Sequence, residues 1–496
     1  MRKHVASVLT VLGCVLIGAA SVRADDAALL DVLRQKQVLT PQEYERLKGS
    51  ELTPAQRAGL IDVLRDKGVL TKDEAAKLEP GAPVAPNAPT VAQAAAKPAS
   101  LPQVGYDEGF FVRSQDGNFN LRFNGRVSSN FYFFEPNTSQ VDTETIDRAR
   151  LSADATFYKY FRMRLENDFA FASGLRDAFI AMTPMPEANV QIGQYKIPFS
   201  YEELLSKRYI DFVERAAVVN STVGSTNDPS RDIGVMLYGQ FVNKTLQYQL
   251  AGMNGAGQNR SDNNASKDVD FRTVVAPFTS AGPEHLRSLN VGAGVTYGVQ
   301  PSDTGTSTSS IAGTTETGFT FYPAVQRNGE RSRYDVSGTW FDGPFSLSSE
   351  YIQTYESRNG FGVKGSNLPG LHTDGAYVGG TWLLTGETKP YNARLHPAHA
   401  LWDTNSPGWG AWEAALRYEY FKLRHGGGIL ANGTANPALD NRYDALVAGV
   451  NWYPNEFLRF SVNYLYGSFE NAGKNMSPNP AQHSNNAVLG RAQLEF

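Results

Sequence analysis

Six arginines lie on the polar face of three alternating stretches of the sequence. They are Arg122, Arg126, Arg148, Arg150, Arg162 and Arg164. Three acidic residues, Asp154, Glu166 and Asp168, share that face. Guanidinium groups gathered in a narrow polar space attract anions and hold oxyanions through paired hydrogen bonds. The same arginines could instead pair with carboxylates on neighbouring strands and only stiffen a wall, and the sequence leaves both interpretations open.

The stretches that carry these arginines alternate between apolar and polar residues. Between 119 and 133, phenylalanine, leucine, valine and Gly125 occupy every second position but one, and asparagine, arginine and serine occupy nearly all of the positions between them. The same rhythm recurs in 148–157, 161–171, 412–420 and 458–466, with Phe171 on the apolar face. A period of two predicts β-strands with two different faces. Charges kept to one face, over several strands, favour a membrane barrel with a lipid-facing exterior and a wet interior.

Further candidate strands bring the total to about sixteen. They lie near 175–182, 188–195, 233–239, 246–254, 268–277, 289–298, 330–342, 345–357, 374–384 and 444–452. The last strand, 486–496, ends on Phe496, and we expect it to pair with the first strand near residue 119 and so close the sheet. The predicted fold class is therefore all-β: a transmembrane antiparallel β-barrel of about 16 strands over residues 105–496.

The connections differ greatly in length. Short ones at 159–160, 343–344 and 454–456 are expected on the periplasmic side, and long polar ones on the outside. The long ones are 135–144, 255–267, 299–329, 358–373, 385–409, 422–442 and 467–485. The segment 197–231 is long, charged and helical near Tyr201–Leu205. A loop of this length is usually functional, and we expect it to fold into the lumen, with Glu203, Lys207 and Arg208 as candidate constriction residues.

The N-terminal hundred residues have a different character. Residues 1–24 read as a secretory signal peptide, with basic residues before an apolar stretch and a small-x-Ala site. Residues 25–79 contain a duplicated helical, coiled-coil-like unit, which either packs as a small periplasmic module or tethers the protein to cell wall or a partner. Residues 80–104 form a Pro/Ala linker. The one cysteine, Cys14, lies in the signal peptide, so the mature chain has no disulfide.

Bulk properties and missing motifs exclude several classes. The formal net charge of −4 gives no reason to expect nucleic acid as a partner. After the signal peptide the sequence lacks nucleophile-elbow, zincin, P-loop and dinucleotide-binding motifs. We therefore expect no enzyme activity, no cofactor and no bound metal.

Four segments resemble the phosphate-selective porin O and P family of bacterial outer-membrane porins. They are Arg148–Asp168, Val190–Gln194, Leu384–Glu387 and Gly449–Asn455. The resemblance extends over roughly residues 110–496. It implies a sixteen-stranded outer-membrane barrel, a homotrimer, and an anion-selective channel whose third long loop forms the constriction. The best-known members take phosphate or polyphosphate past a column of arginines and a lysine on that loop.

The family's binding residues carry over only in part. Arg148 matches one of two adjacent arginines, but the other position holds Asp147. Glu203 stands where the resemblance places the constriction-loop lysine, whereas Arg215 matches. The region 317–323, which should hold an arginine ladder, contains no arginine.

The sequence thus predicts an outer-membrane porin through which small hydrophilic solutes diffuse, with anions such as phosphate as the expected class. An envelope-tethering or adhesive barrel without specific transport is the alternative.

Overall fold

The structure is a computed structural model of the chain. It describes residues 101–135, 141–172, 174–223, 230–262, 264–300, 310–315, 320–471 and 483–496, without the side chains of 310–314 and 320–324. All of these belong to one compact unit, Ser100–Phe496. The predicted signal peptide 1–24, the helical unit 25–79, nearly all of the linker 80–104 and part of 317–323 lie outside the described residues.

Sixteen long antiparallel strands form the main sheet. They are β1 Phe119–Phe134, β2 Thr143–Phe157, β3 Phe161–Asp168, β4 Leu175–Met185, β5 Ala188–Lys196, β6 Arg231–Phe241, β7 Leu246–Met253, β8 Asp268–Val275, β9 Asn290–Gln300, β10 Gly329–Asp342, β11 Phe345–Arg358, β12 Leu368–Leu383, β13 Ala411–His425, β14 Leu439–Tyr453, β15 Leu458–Glu470 and β16 Ser484–Glu495. Each strand pairs with the next along the chain, and β16 pairs with β1. The sheet is therefore a closed barrel, as the sequence predicts.

Alternating burial gives the barrel wall two faces. Along β13, Leu416 and Tyr418 are exposed on the outside, whereas Arg417 and Glu419 are buried inside. The same arrangement recurs around the wall because successive side chains of a strand point to opposite faces. Most large apolar side chains of the wall face outward, where a bilayer would cover them, and most polar ones face the lumen. A few apolar side chains, such as Ile352 and Phe421, are buried on the inner face.

The first and last strands of the barrel meet at the seam between β16 and β1. Glu495 lies opposite Arg126, and the backbone of Phe496 exchanges two hydrogen bonds with Gly125. A Cβ atom at Gly125 would lie 2.3 Å from the Phe496 ring, so this close approach requires glycine. A short hairpin, Gln103–Tyr106 and Phe110–Arg113, pairs with the part of β1 that extends beyond β16. The predicted closure by the final phenylalanine is confirmed, at Gly125 rather than at Phe119.

The connections alternate between the two ends of the barrel, and one long segment lies at the end opposite to its predicted one. Residues 385–409 follow β12, so they lie at the end that carries the short turns 343–344 and 454–457. Lys389 N–H donates to the Gly343 carbonyl and Leu401 N–H to the Pro454 carbonyl. The prediction that this segment faces the long-loop end is wrong because strand order, not loop length, decides the end at which a connection lies.

Few other regular elements occur among the described residues. Two short helices, α1 (Tyr201–Leu204) and α2 (Ala217–Thr222), lie in the β5–β6 connection, and Glu284–Leu286 and Val363–Gly365 are single 3₁₀ turns. Two small hairpins pair Ser310–Thr314 with Thr320–Gln326 and Gly428–Ile429 with Ala435–Asn436. No helix in the described part of the chain is both long and apolar enough to cross a membrane.

Candidate functional site

The connection between β5 and β6 crosses the interior of the barrel. Most of its apolar residues are buried, and Phe199, Val213 and Val218 are fully buried. Phe199 and Val218 share an apolar cluster with Ile352 on β11 and Phe421 on β13. Those strands lie on the wall opposite β5 and β6, so the loop reaches them only through the lumen. Burial of its apolar side chains stabilises the loop in this position.

Inward-facing side chains of this opposite wall also bind the backbone of the loop. Val213 N–H donates to Asn463 Oδ1 at 2.7 Å, and Ala217 N–H donates to Glu419 Oε2 at 3.2 Å. Tyr201 N–H donates to Glu350 Oε1 at 2.7 Å. Buried backbone groups need hydrogen-bond partners. These polar side chains supply them to a loop that pairs with no strand at these positions.

Arginines on the same wall contact the loop carbonyl groups. Arg459 Nη1 donates to the Ile210 carbonyl at 2.7 Å, and Arg417 Nη1 donates to the Glu214 carbonyl at 3.1 Å. The Arg417 guanidinium also lies 4.5 Å from the centre of the Phe212 ring. These two arginines of the opposite wall therefore hold the loop.

Between the loop and the wall built by β1–β6, a cavity of about 780 Å³ remains open. Seven arginines and two lysines line it, against three carboxylates. The cations are Arg148, Arg150, Arg164, Arg176, Arg215, Arg231, Arg260, Lys196 and Lys207, and the acids are Glu166, Asp177 and Glu203. This excess of positive charge makes the cavity a favourable place for an anion.

A second cavity, of about 460 Å³, continues from the first toward the short-turn end. The two share Arg164, Ser206 and Asn392 among their lining residues. Arg122, Arg162 and Arg208 line the second cavity, so it too carries more cations than acids. Together the cavities extend from the 254–267 connection at the long-loop end to the start of β1 at the other end.

The predicted site residues thus divide into three groups. Arg148, Arg150, Arg164, Arg215, Glu203 and Lys207 line the first cavity, and Arg122, Arg162, Arg164 and Arg208 the second. Arg126 lines neither of these two cavities and is buried in the wall, 3% exposed.

Most of the cavity arginines are also ion-paired. Arg150 Nε lies 2.7 Å from Asp168 Oδ2, and Arg164 Nη1 lies 2.9 Å from Asp154 Oδ1. Arg122 pairs with Asp107 at 3.1 Å. The two interpretations of the arginines are therefore compatible, because a paired guanidinium has further N–H donors. Arg162 differs, since no carboxylate among the described residues lies within ion-pairing distance of it.

Glu203 is surrounded by cations. Its carboxylate lies 3.2 Å from Arg215 Nε and 3.7 Å from Lys196 Nζ. Burial alone would raise the pKa of Glu203, but these two cations together with Arg231 lower it to about 2. Glu203 is therefore ionised at neutral pH, and it neutralises part of the positive charge of Arg215.

A β-bulge in β2 brings Asp147 and Arg148 to the same face. Ser128 of β1 pairs with Arg148 and Ser129 with Ile146, so Asp147 is an extra residue in the ladder. Asp147 Oδ1 lies 2.8 Å from Lys207 Nζ, which also contacts Glu214 Oε2 at 2.9 Å. Burial lowers the pKa of Lys207, while Glu214 and Asp147 oppose this shift.

Several residues of the first cavity are missing from the sequence prediction. They are Arg176, Lys196, Arg231 and Arg260. Lys196 and Arg231 flank the long loop, and that position is a signal that could have identified them. Phe171 is predicted to face lipid, but β3 ends at Asp168 and the strand alternation ends with it. The Phe171 ring instead lines the cavity, 5.3 Å from the Arg148 guanidinium and 4.7 Å from that of Arg176.

The 385–409 segment enters the lumen from the short-turn end and contacts the loop. Asn392 lines both cavities, and Ser206 N–H donates to its Oδ1 at 3.4 Å. Lys389 Nζ lies 2.5 Å from Asp211 of the loop and also pairs with Glu413. Two segments from opposite ends therefore narrow the interior. In the described ranges, no group of three or more His, Cys, Asp or Glu residues has a geometry that could hold a metal ion.

Comparison with known proteins gives one family. The model of the family described as phosphate-selective porin O and P matches residues 118–496. Porin O of Pseudomonas aeruginosa is 25% identical over 389 residues, which are 72% of this chain and 85% of that protein. Among solved structures, an anion-selective porin from Comamonas acidovorans covers 76% of this chain and 100% of its own, with 11% identity and a TM-score of 0.49. The outer-membrane protein OmpT of Vibrio cholerae gives 14% identity and a TM-score of 0.48, covering 76% and 98% of the two chains.

Proposed function

The chain belongs to the phosphate-selective porin O and P family of outer-membrane porins, and we propose that it conducts small hydrophilic anions through the two cavities. The anions enter at the long-loop end, pass between the β5–β6 loop and the β1–β6 wall, and leave at the short-turn end. Phosphate belongs to the proposed set of solutes.

One observation carries this proposal. The first cavity is lined by nine cationic and three acidic side chains. In a narrow aqueous passage with protein walls, such an imbalance lowers the free energy of an anion and raises that of a cation. Arg417 and Arg459 of the opposite wall contact the loop and do not line this cavity.

The proposal for phosphate rests on the donors that the arginines offer. Guanidinium groups hold phosphate oxygens in pairs, and Arg148, Arg150 and Arg215 line the same cavity. Glu203 and Asp147 reduce the net positive charge beside them. We therefore expect weak, millimolar binding of phosphate rather than tight capture.

The test is conductance in a planar lipid bilayer with the purified full-length protein. In a potassium chloride gradient, the reversal potential should shift in the direction expected for chloride permeation. Millimolar phosphate should reduce the chloride current. Reversal potentials that indicate potassium as the main carrier would contradict the proposal for anions, and an unchanged chloride current in phosphate would remove phosphate from it.

Arg442→Gln serves as the matched control. Arg442 pairs with Asp444 next to it on the outer face of β14 and lines neither cavity. Its loss should leave the reversal potential unchanged, whereas Arg150→Gln should move it toward zero.

The proposal also covers the oligomeric state and the location of the N-terminal residues. We expect three copies to associate, which stepwise opening of conductance in triplets would test. We place residues 25–79 in the periplasm as a helical module joined by the 80–104 linker, which protease protection in intact cells would test.

A further inference from the structure

Asp147 is a buried carboxylate that contacts three cations. Its carboxylate lies 2.8 Å from Lys207 Nζ, 3.0 Å from Arg148 Nη1 and 3.3 Å from Arg491 Nη2. Ser128 Oγ donates to it at 3.3 Å. The side chain is 8% exposed, so little water screens its charge.

The position of Asp147 relative to the first cavity is unusual. Lys207 and Arg148 line that cavity, but Asp147 does not. It lies behind them, in the wall, where the bulge in β2 has turned it inward. A permeating anion would therefore meet the two cations directly, while the acid acts on it only through its field and through its hold on them.

A conducting site needs attraction that is strong enough for entry and weak enough for release. Without Asp147, Lys207 would keep Glu214 as an acidic partner at 2.9 Å and Arg148 would keep Asp168 at 3.6 Å. Each cation would nevertheless lose one compensating charge and attract the same anion more strongly, so the exit of the anion would be slower. On the basis of the proposed anion conduction, we infer that Asp147 is a specificity-determining residue that weakens anion binding at Lys207 and Arg148 and so keeps the channel conducting.

The variant Asp147→Asn tests this inference because it removes the charge and keeps the size. The chloride concentration at which conductance saturates should fall by about fivefold, which is the order expected for removing one charge in a partly solvated site. Millimolar phosphate should block the current more strongly than in the wild type, and the permeability ratio of chloride to potassium should rise.

Asp268→Asn is the matched control. Asp268 is likewise buried and paired with an arginine, Arg331, at 2.7 Å. Arg331 lines neither of the two cavities, in contrast to Lys207 and Arg148. Asp268→Asn should leave the saturating chloride concentration unchanged. The double variant Asp147→Asn with Lys207→Gln should return saturation toward the wild-type concentration, because one acid and one base are then removed together.

A second readout separates this role from loosening of the loop. If Asp147 only anchors Lys207, the Asn variant should admit larger polyethylene glycols, conduct more and lose anion selectivity, which would overturn the inference. If the wild type is anion-selective and the Asn variant saturates at the same chloride concentration, the inference is overturned as well. A wild type that prefers cations would instead contradict the proposed function, so the two failures are distinguishable.

Discussion

The two sides of the lumen use the same kinds of residue for different purposes. On the β1–β6 side, arginines such as Arg150 and Arg164 pair with carboxylates of their own wall and still face an open cavity. On the β11–β16 side, Arg417 and Arg459 contact the carbonyl groups of the β5–β6 loop. An inward-facing arginine therefore does not by itself indicate a conducting surface. The path of the loop decides which arginines meet the solute.

The largest expected effect comes from releasing the loop. Phe199→Ala removes a fully buried ring from the apolar cluster, and such a change costs about 3–5 kcal/mol. We expect a lower free energy of unfolding in urea, a larger conductance and entry of larger polyethylene glycols. Phe123→Ala, which removes an outward-facing ring, is the control and should keep the wild-type size limit. An unchanged conductance in the Phe199 variant would show that the apolar cluster does not hold the loop.

A pair of identical substitutions tests the two sides directly. Arg417→Gln leaves Glu202 and Glu419 without the cation that they share, and breaking a buried pair in this way costs about 3–5 kcal/mol. Arg417→Gln should strongly lower the free energy of unfolding and change the chloride-to-potassium permeability ratio little. Arg150→Gln should do the reverse, lowering the chloride-to-potassium permeability ratio with a smaller change in stability. Equal effects of the two variants on reversal potential would contradict the distinction between the walls.

Alkaline pH should weaken anion selectivity through Lys207. Because burial lowers the pKa of Lys207 below its ordinary value of 10.5, the side chain loses its proton, and its positive charge, at a lower pH than an exposed lysine. Glu214, Asp147, Arg148 and Arg491 are the charged groups around it. The permeability ratio should therefore fall as pH rises toward 10. Lys207→Arg, whose charge persists, should show a smaller fall, and an equal fall in both proteins would assign the titration to another group.

The smallest expected effect concerns Arg162. This residue is exposed, lines the second cavity and has no ion-pairing carboxylate among the described residues. Arg162→Gln should leave the free energy of unfolding within about 0.5 kcal/mol of the wild type, yet reduce chloride permeability measurably. Arg122→Gln, which breaks the pair with Asp107, offers the comparison within the same cavity. A loss of stability without any change in selectivity would make Arg162 a structural residue.

Much of the fold is predictable because its main signal is local. Each strand carries its own two-residue alternation, so the number of strands and their inner and outer faces follow from short stretches such as 412–420. The same alternation correctly directs Arg148, Arg150 and Arg164 inward. It fails where the backbone leaves the regular ladder. Phe171 lies beyond the end of β3, and the bulge at Asp147 turns two successive side chains to one face.

The two-faced barrel, its closure by Phe496 and the long lumen loop all follow from residue type and spacing along the chain. The charges that meet the solute do not, because they depend on contacts between residues far apart in sequence. The approach of Lys207 to Asp147 and the entry of Asn392 from the short-turn end are such contacts. Ion pairs are made across space, and no local pattern records which arginine is left facing water.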